Sequence, residues 1–217
     1  MNKKRLVAGL LTSATVVGLF ATGGTAFAAE VDSAESEVGI GFSNHNPGIN
    51  PGPLEMKWAP INLNFDNSND YTQTSFNEVT GSKMYTVVND ARNNPLGTET
   101  WSLSAKLGDL MSGSTQLVGA QLEFDATEQG YTGTAKPELP GSIIPYTGTA
   151  VVQGLNFTLS QGAAATKVME DGSGGTGTFQ GASAMEMSNI KLNVPSNVVN
   201  AGKEFTGKLT WSLNDTP

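Results

Sequence analysis

Thr100-Trp101-Ser102-Leu103-Ser104-Ala105-Lys106-Leu107 alternates apolar residues with Ser, Thr and Lys at every step. In an extended chain successive side chains point to opposite faces, so Trp101, Leu103, Ala105 and Leu107 share one face and the polar residues share the other. The stretch reads as a half-buried β-strand. Phe205-Thr206-Gly207-Lys208-Leu209-Thr210-Trp211-Ser212-Leu213 repeats the pattern near the C-terminal end. Val118, Ala120, Leu122 and Phe124 follow it, as do Val151, Leu155, Phe157 and Leu159 with Gln153 interrupting. Met185 and Met187 share one parity while Ile190, Leu192 and Val194 share the other. That switch predicts a bulge near Ser188-Asn189.

Turn-rich stretches separate these runs: Asn93 to Gly97, Gly108 to Ser114, Pro137 to Gly148 and Asp171 to Gly177. The chain holds 26 glycines, and no segment sustains a 3.6-residue apolar period. Strands spaced by turns in this way predict an all-β fold, a single sandwich or barrel-like domain with long turn-rich loops. Short helices at Ala91-Arg92 or Ala163 to Ala165 fit the composition without changing the class.

Lys3, Lys4 and Arg5 precede an apolar stretch from Leu6 to Phe20, and small residues then lead to Ala26-Phe27-Ala28. This order is that of a secretory signal peptide over residues 1–28, too short and too small-flanked for a membrane span. Its charged residues are all basic, so the mature chain keeps nine Lys and Arg against twenty Asp and Glu, and 9 − 20 gives a net charge of −11. That balance disfavours nucleic acid, which needs basic contacts, and anionic lipid or phosphate-rich polymers. With no cysteine in the chain, disulfides, a thiol nucleophile and a lipid-modified cysteine are excluded. Residues 29–53 are acidic and then rich in Pro and Gly, and read as a loosely ordered tether. The β domain is expected over 54–217.

The inventory for catalysis is thin. His45 is the only histidine and lies in the expected tether, away from any rigid scaffold. No Ser-His-Asp set, H-E-x-x-H, phosphate loop or dinucleotide fingerprint is present. A carboxylate pair of glycosidase type is possible by residue type alone, yet most acids fall in turns or at polar strand positions. The chain is therefore read as non-enzymatic and without a cofactor. Asp66, Ser68 and Asp70 stand at alternate positions like the start of a calcium loop, but the glycine and distal glutamate are missing. The other reading is an Asx-rich turn after a strand over Ile61 to Phe65.

Two of the three tryptophans occur in one tripeptide, Trp101-Ser102-Leu103 and Trp211-Ser212-Leu213, each preceded by threonine. The first follows a strand-like run ending Asp90-Ala91-Arg92, and the second runs on into Asn214-Asp215-Thr216-Pro217. Here the chain resembles the WxL-domain surface proteins of low-GC Gram-positive bacteria. That family carries an internal Trp-x-Leu after a strand ending Asp-x-Arg, and a second in a C-terminal Leu-Thr-Trp-x-Leu context ending Asp-x-Pro. The resemblance covers roughly Leu54 to Pro217 and departs at Asn93, where the family often has glycine. One Trp-x-Leu alone is uninformative; the pair in these contexts behind a signal peptide is specific.

The resemblance implies a small member of the family, secreted and attached non-covalently to the wall, with peptidoglycan as ligand. It also implies partners: a membrane-anchored wall-binding protein, large WxL proteins and, through an adhesion role, host extracellular matrix. No hydrophobic tail or sorting signal follows Leu213, which fits non-covalent retention. The residues that define the domain are Trp101, Leu103, Trp211, Leu213, Asp90, Arg92 and Asp215. Their roles stay open at the level of sequence. The tryptophans either fill the core in phase with Leu103 and Leu213 or stack on a ligand, and Asp90 with Arg92 either braces a turn or contacts the ligand.

Overall fold

The computed structural model describes residues 29–38, 45–47, 52–70, 72–92, 100–133, 135–172, 181–196 and 202–216; the expected signal peptide over 1–28 lies outside them. The strands, in chain order, are β1 (Ala29–Val38), β2 (His45–Pro47), β3 (Leu54–Pro60), β4 (Asn62–Leu63), β5 (Ser75–Asn77), β6 (Met84–Asp90), β7 (Thr100–Leu107) and β8 (Met111–Ser112). They continue as β9 (Thr115–Gln116), β10 (Gln121–Tyr131), β11 (Ile143–Ile144), β12 (Val151–Val152), β13 (Asn156–Ser160), β14 (Thr166–Asp171), β15 (Gly181–Asn193) and β16 (Gly207–Thr216). No helix occurs among the described residues. The fold is all-β, as the alternating patterns predict.

Two sheets make a sandwich. A six-stranded sheet runs β12-β14-β7-β16-β1-β4, and an eight-stranded sheet runs β11-β10-β15-β6-β3-β2 with β13 beside β10 and β5 beside β15. The six-stranded sheet turns Trp101, Leu103, Ala105 and Leu107 of β7 and Leu209, Trp211 and Leu213 of β16 inward, all at most 2% exposed. Facing them are Met56, Val88, Leu122, Phe124, Met185 and Met187 from the other sheet, each 1% exposed or less. Phe124 and its cross-strand partner Phe157 stack with centroids 5.3 Å apart. Gly207 replaces a larger residue in the periodic run because a Cβ there would sit 2.8 Å from the Asp109 carbonyl oxygen.

The parity switch in β15 is a bulge. Glu123 pairs with Lys191 but Asp125 pairs with Ser188, so β15 carries one extra residue there. Asn189 takes it up at φ +49, in the left-handed region that non-glycine residues seldom enter. Met185 and Met187 before the bulge and Ile190 and Leu192 after it consequently all reach the core.

Several expectations fail in detail. Val118 lies before β10 and is 64% exposed, because the chain turns through Gly119 at φ +82. Val151 and Leu155 are also exposed, at 51% and 79%, and Val152 points inward instead. Ala91-Arg92 and Ala163 to Ala165 are not helical. The strand expected over Ile61 to Phe65 shrinks to Asn62–Leu63.

The larger correction is the tether. Ala29–Val38 is a strand in the six-stranded sheet, antiparallel to β16 and parallel to β4. Its inward positions Asp32, Ala34 and Ser36 lie opposite Leu213, Trp211 and Leu209, whose side chains fill that part of the core. Small and polar residues fit where those larger neighbours occupy the space, so no apolar period marks the strand. His45 also belongs to a strand, its backbone paired with Pro60. Residues 39–44 and 48–51 of the expected tether lie outside the described residues.

Candidate functional site

The two Trp-x-Leu motifs lie side by side on the antiparallel pair β7 and β16. Leu103 opposes Leu213, Ala105 opposes Trp211, and Trp101 opposes Asp215. Placing each tryptophan across from a non-aromatic residue lets both indoles lie in one layer without clashing. Trp101 is 2% exposed and Trp211 is fully buried, so their ring faces pack in the core. Stacking on an external ligand is closed to them in this arrangement.

Each indole meets a different polar environment. Trp211 Nε1 donates to Ser36 Oγ at 3.0 Å, and that hydroxyl donates to the Pro60 carbonyl. The β1 strand is thus fastened between the second motif and the opposite sheet. Trp101 Nε1 is buried and has no hydrogen-bond partner among the described residues. Asp32, 1% exposed, extends the same seam: its Oδ2 accepts the Met56 N–H of β3 at 2.8 Å. Sequence patterning missed Asp32 and Ser36 because a buried polar residue breaks the apolar period.

Asp90 and Arg92 form a compact clamp at the end of β6. Arg92 Nε donates to Asp90 Oδ1 at 2.9 Å, and its Nη2 donates to Asp90 Oδ2 at 2.8 Å. The Arg92 N–H donates to Asp90 Oδ1 at 3.0 Å, fixing the turn. Its Nη1 pairs with Asp215 near the end of β16, and Nη2 also reaches the Thr100 carbonyl at 3.4 Å. One guanidinium therefore joins β6 of one sheet to β7 and β16 of the other. Both Asp90 and Arg92 are buried, at 6% and 9% exposure, which gives them the bracing role of the two open to them.

The Asp66 to Asp70 segment is an Asx-turn loop. Asp66, at φ +68, accepts the N–H groups of Asn67 at 2.6 Å and Ser68 at 3.2 Å through Oδ1. Asp70 Oδ1 accepts the Thr72 N–H at 2.9 Å and its hydroxyl at 2.8 Å. These bonds, the backbone ones foremost, hold both carboxyls below the usual carboxylate range. Among the described residues no group of three His, Cys, Asp or Glu is placed to hold a metal ion.

A buried phenol lies on the outer face of the eight-stranded sheet. Tyr85 is cross-strand from Glu186, and its hydroxyl donates to Glu186 Oε2 at 3.4 Å. Lys83 Nζ stands 2.8 Å from Glu186 Oε1. Burial first, then the Glu186 charge, pushes the Tyr85 phenol up to about 12. Val87, Ala184 and Tyr131 form a small apolar cluster of their own, and Trp58 donates to the Tyr131 hydroxyl at 2.8 Å.

The seven residues that the resemblance singles out thus assemble into one structural seam along β6, β7 and β16, with Asp32 and Ser36 of β1 completing it. No curated protein and no solved structure matches this chain. The family model described as "WxL domain surface cell wall-binding" matches residues 32–217, from inside β1 to the last residue, and the chain belongs to the WxL-domain family of cell wall-binding surface proteins.

Proposed function

We propose that this chain is a non-catalytic, secreted protein that holds to the bacterial wall by direct, non-covalent contact with peptidoglycan, and that it works within a surface complex with an adhesion role. The observation that carries this reading is the extent of the wall-binding family match, which runs from inside β1 through β16. The whole sandwich is then the wall-binding unit. Both tryptophans are internal, so the ligand meets the outside of a sheet or a loop while the Trp-x-Leu seam holds those surfaces in place. Large WxL proteins, a membrane-anchored wall-binding protein and host extracellular matrix are the further partners in this reading.

A second reading is favoured by one feature. The β13 strand pairs with β10 on one side and carries no hydrogen-bonded strand on the other among the described residues. A partner protein adding a strand there would retain the chain without any glycan contact.

Co-sedimentation of the purified mature chain with peptidoglycan freed of teichoic acid and protein separates the two. Sedimentation of the chain alone is the expected result. A folded chain that stays in solution until a membrane-anchored partner is added would overturn direct binding in favour of strand addition.

A further inference from the structure

We propose that the outer face of β13, β10 and β15 is a binding platform for an uncharged, hydroxyl- and acetamido-bearing glycan strand. The inference rests on the wall-binding reading and locates its contact surface. Register places the outward side chains in rows across the three strands. Asn193, Gln121 and Ser160 form one row, with Gln121 Nε2 donating to Ser160 Oγ at 3.3 Å. Lys191, Glu123 and Thr158 form the next. In the third, Asp125 sits between Asn156 and the bulge residue Asn189.

These side chains are exposed or half-buried, while the alternate residues Leu122, Phe124, Phe157, Leu159 and Leu192 fill the core beneath. The rows contain no apolar residue, which gives a protein partner none of the desolvated centre that stable interfaces use. Their charges are two carboxylates and one lysine on a chain of net −8, so an anionic polymer is not attracted. Amides, hydroxyls and carboxylates repeating across strands about 4.8 Å apart offer donors and acceptors in a fixed grid, which suits sugar hydroxyl and acetamido groups.

The third row is held ready. Asp125 Oδ1 and Oδ2 accept Asn156 Nδ2 and Asn189 Nδ2, each at 2.6 Å. These two bonds keep the Asp125 carboxyl below the usual range and ionised. Each amide uses one N–H and keeps another N–H and a carbonyl oxygen for a ligand. Asn189, whose side chain reaches Asp125, adopts φ +49 at the bulge, the kind of local conformation found at binding sites. Beside Asn156, Leu155 is 79% exposed and fixed by the Ala126 N–H to its carbonyl at 2.9 Å, offering an apolar spot for the C–H face of a sugar ring.

The test is calorimetric titration of the mature chain with soluble glycan strands prepared from peptidoglycan free of teichoic acid, stem peptides and protein, their freed lactyl carboxyls capped as amides so that the strands are uncharged. Variants are Thr158→Glu, the pair Asn156→Ala with Asn189→Gly, in which glycine keeps the positive φ, and Lys106→Glu on the exposed face of β7 in the other sheet. The wild type and Lys106→Glu bind, and the two platform variants weaken binding at least about tenfold with unchanged Tm. Amide shift mapping on the unmodified chain checks the same point without a variant, with perturbations expected at Gln121, Thr158 and Lys191. Platform variants that bind like wild type, or shifts confined elsewhere, would sink the platform and leave the wall-binding reading intact. A wild type that binds no glycan strand overturns both.

Discussion

Arg92 and Asp215 stand 123 residues apart in sequence and form an ion pair across the end of the sandwich, with Asp90 gripping the other edge of the same guanidinium. The pair physically links the Asp-x-Arg motif to the C-terminal Trp-x-Leu motif. Removing Arg92 leaves Asp90 buried with its main cationic partner gone, a change that costs about 3–5 kcal/mol. Asp215 is about one-third exposed, so Asp215→Ala costs only about 1 kcal/mol. Urea unfolding of Arg92→Ala, Asp215→Ala and the double variant checks this ordering. Equal losses for the two single variants would show that Asp90 is not the critical partner.

The two tryptophans are expected to answer differently to phenylalanine. Trp211→Phe deletes the hydrogen bond to Ser36. Trp101→Phe removes an N–H that is buried without a partner among the described residues. Both changes leave a similar void, so Trp211→Phe is expected to be costlier by about 1–3 kcal/mol. Denaturant midpoints at constant m-value measure the difference, and a costlier Trp101→Phe would mean that its indole N–H has a partner in solution.

Deleting residues 29–53 distinguishes a strand from a tether. A chain starting at Leu54 lacks β1, exposes the edge of β16 and loses the Asp32 and Ser36 bonds, so loss of cooperative unfolding is expected. Asp32→Ala in the full mature chain strands the Met56 N–H and costs about 2–3 kcal/mol. A Leu54 start with an unchanged thermal transition would return the segment to tether status.

Tyr85 predicts an alkaline weakness with a definite sign. Its folded pKa is raised from 10.0 to about 12, so between these values the unfolded chain gives up a proton that the folded chain keeps. The contribution is complete below about pH 10, falls as pH rises, and is spent above about pH 12. Tyr85→Phe should flatten the fall in stability across that window, read by urea midpoints at stepped pH. An unchanged slope would assign the alkaline loss to other groups.

Calcium is expected to have no effect on the fold. The bonding oxygens of Asp66 and Asp70 are already engaged by backbone N–H groups and the Thr72 hydroxyl. Thermal melts in excess calcium and in chelator should therefore superimpose. A saturable rise in Tm that disappears in Asp66→Ala would establish a site at Asp66, Ser68 and Asp70.

Period-two patterning in β7, β16 and β15 determined the all-β class, because an apolar face on an extended chain reads directly from alternate residues. The bulge at Asn189 was legible for the same reason: one extra residue shifts the parity of every residue beyond it. The paired Trp-x-Leu motifs likewise marked the family before any coordinates. Tertiary structure alone decided what those residues do. Whether Trp101 and Trp211 face a ligand or the core depends on a second sheet whose position no local pattern encodes. The clamp from Arg92 to Asp215 depends on β7 and β16 becoming neighbours. The strand at Ala29–Val38 was invisible because its inward residues are Asp32, Ala34 and Ser36, chosen by the bulk of Leu213, Trp211 and Leu209 beside them and by backbone donors and acceptors on β3. Local alternation records which face is dry; only the packed sandwich fixes which large neighbours fill the space and which polar groups must be met there.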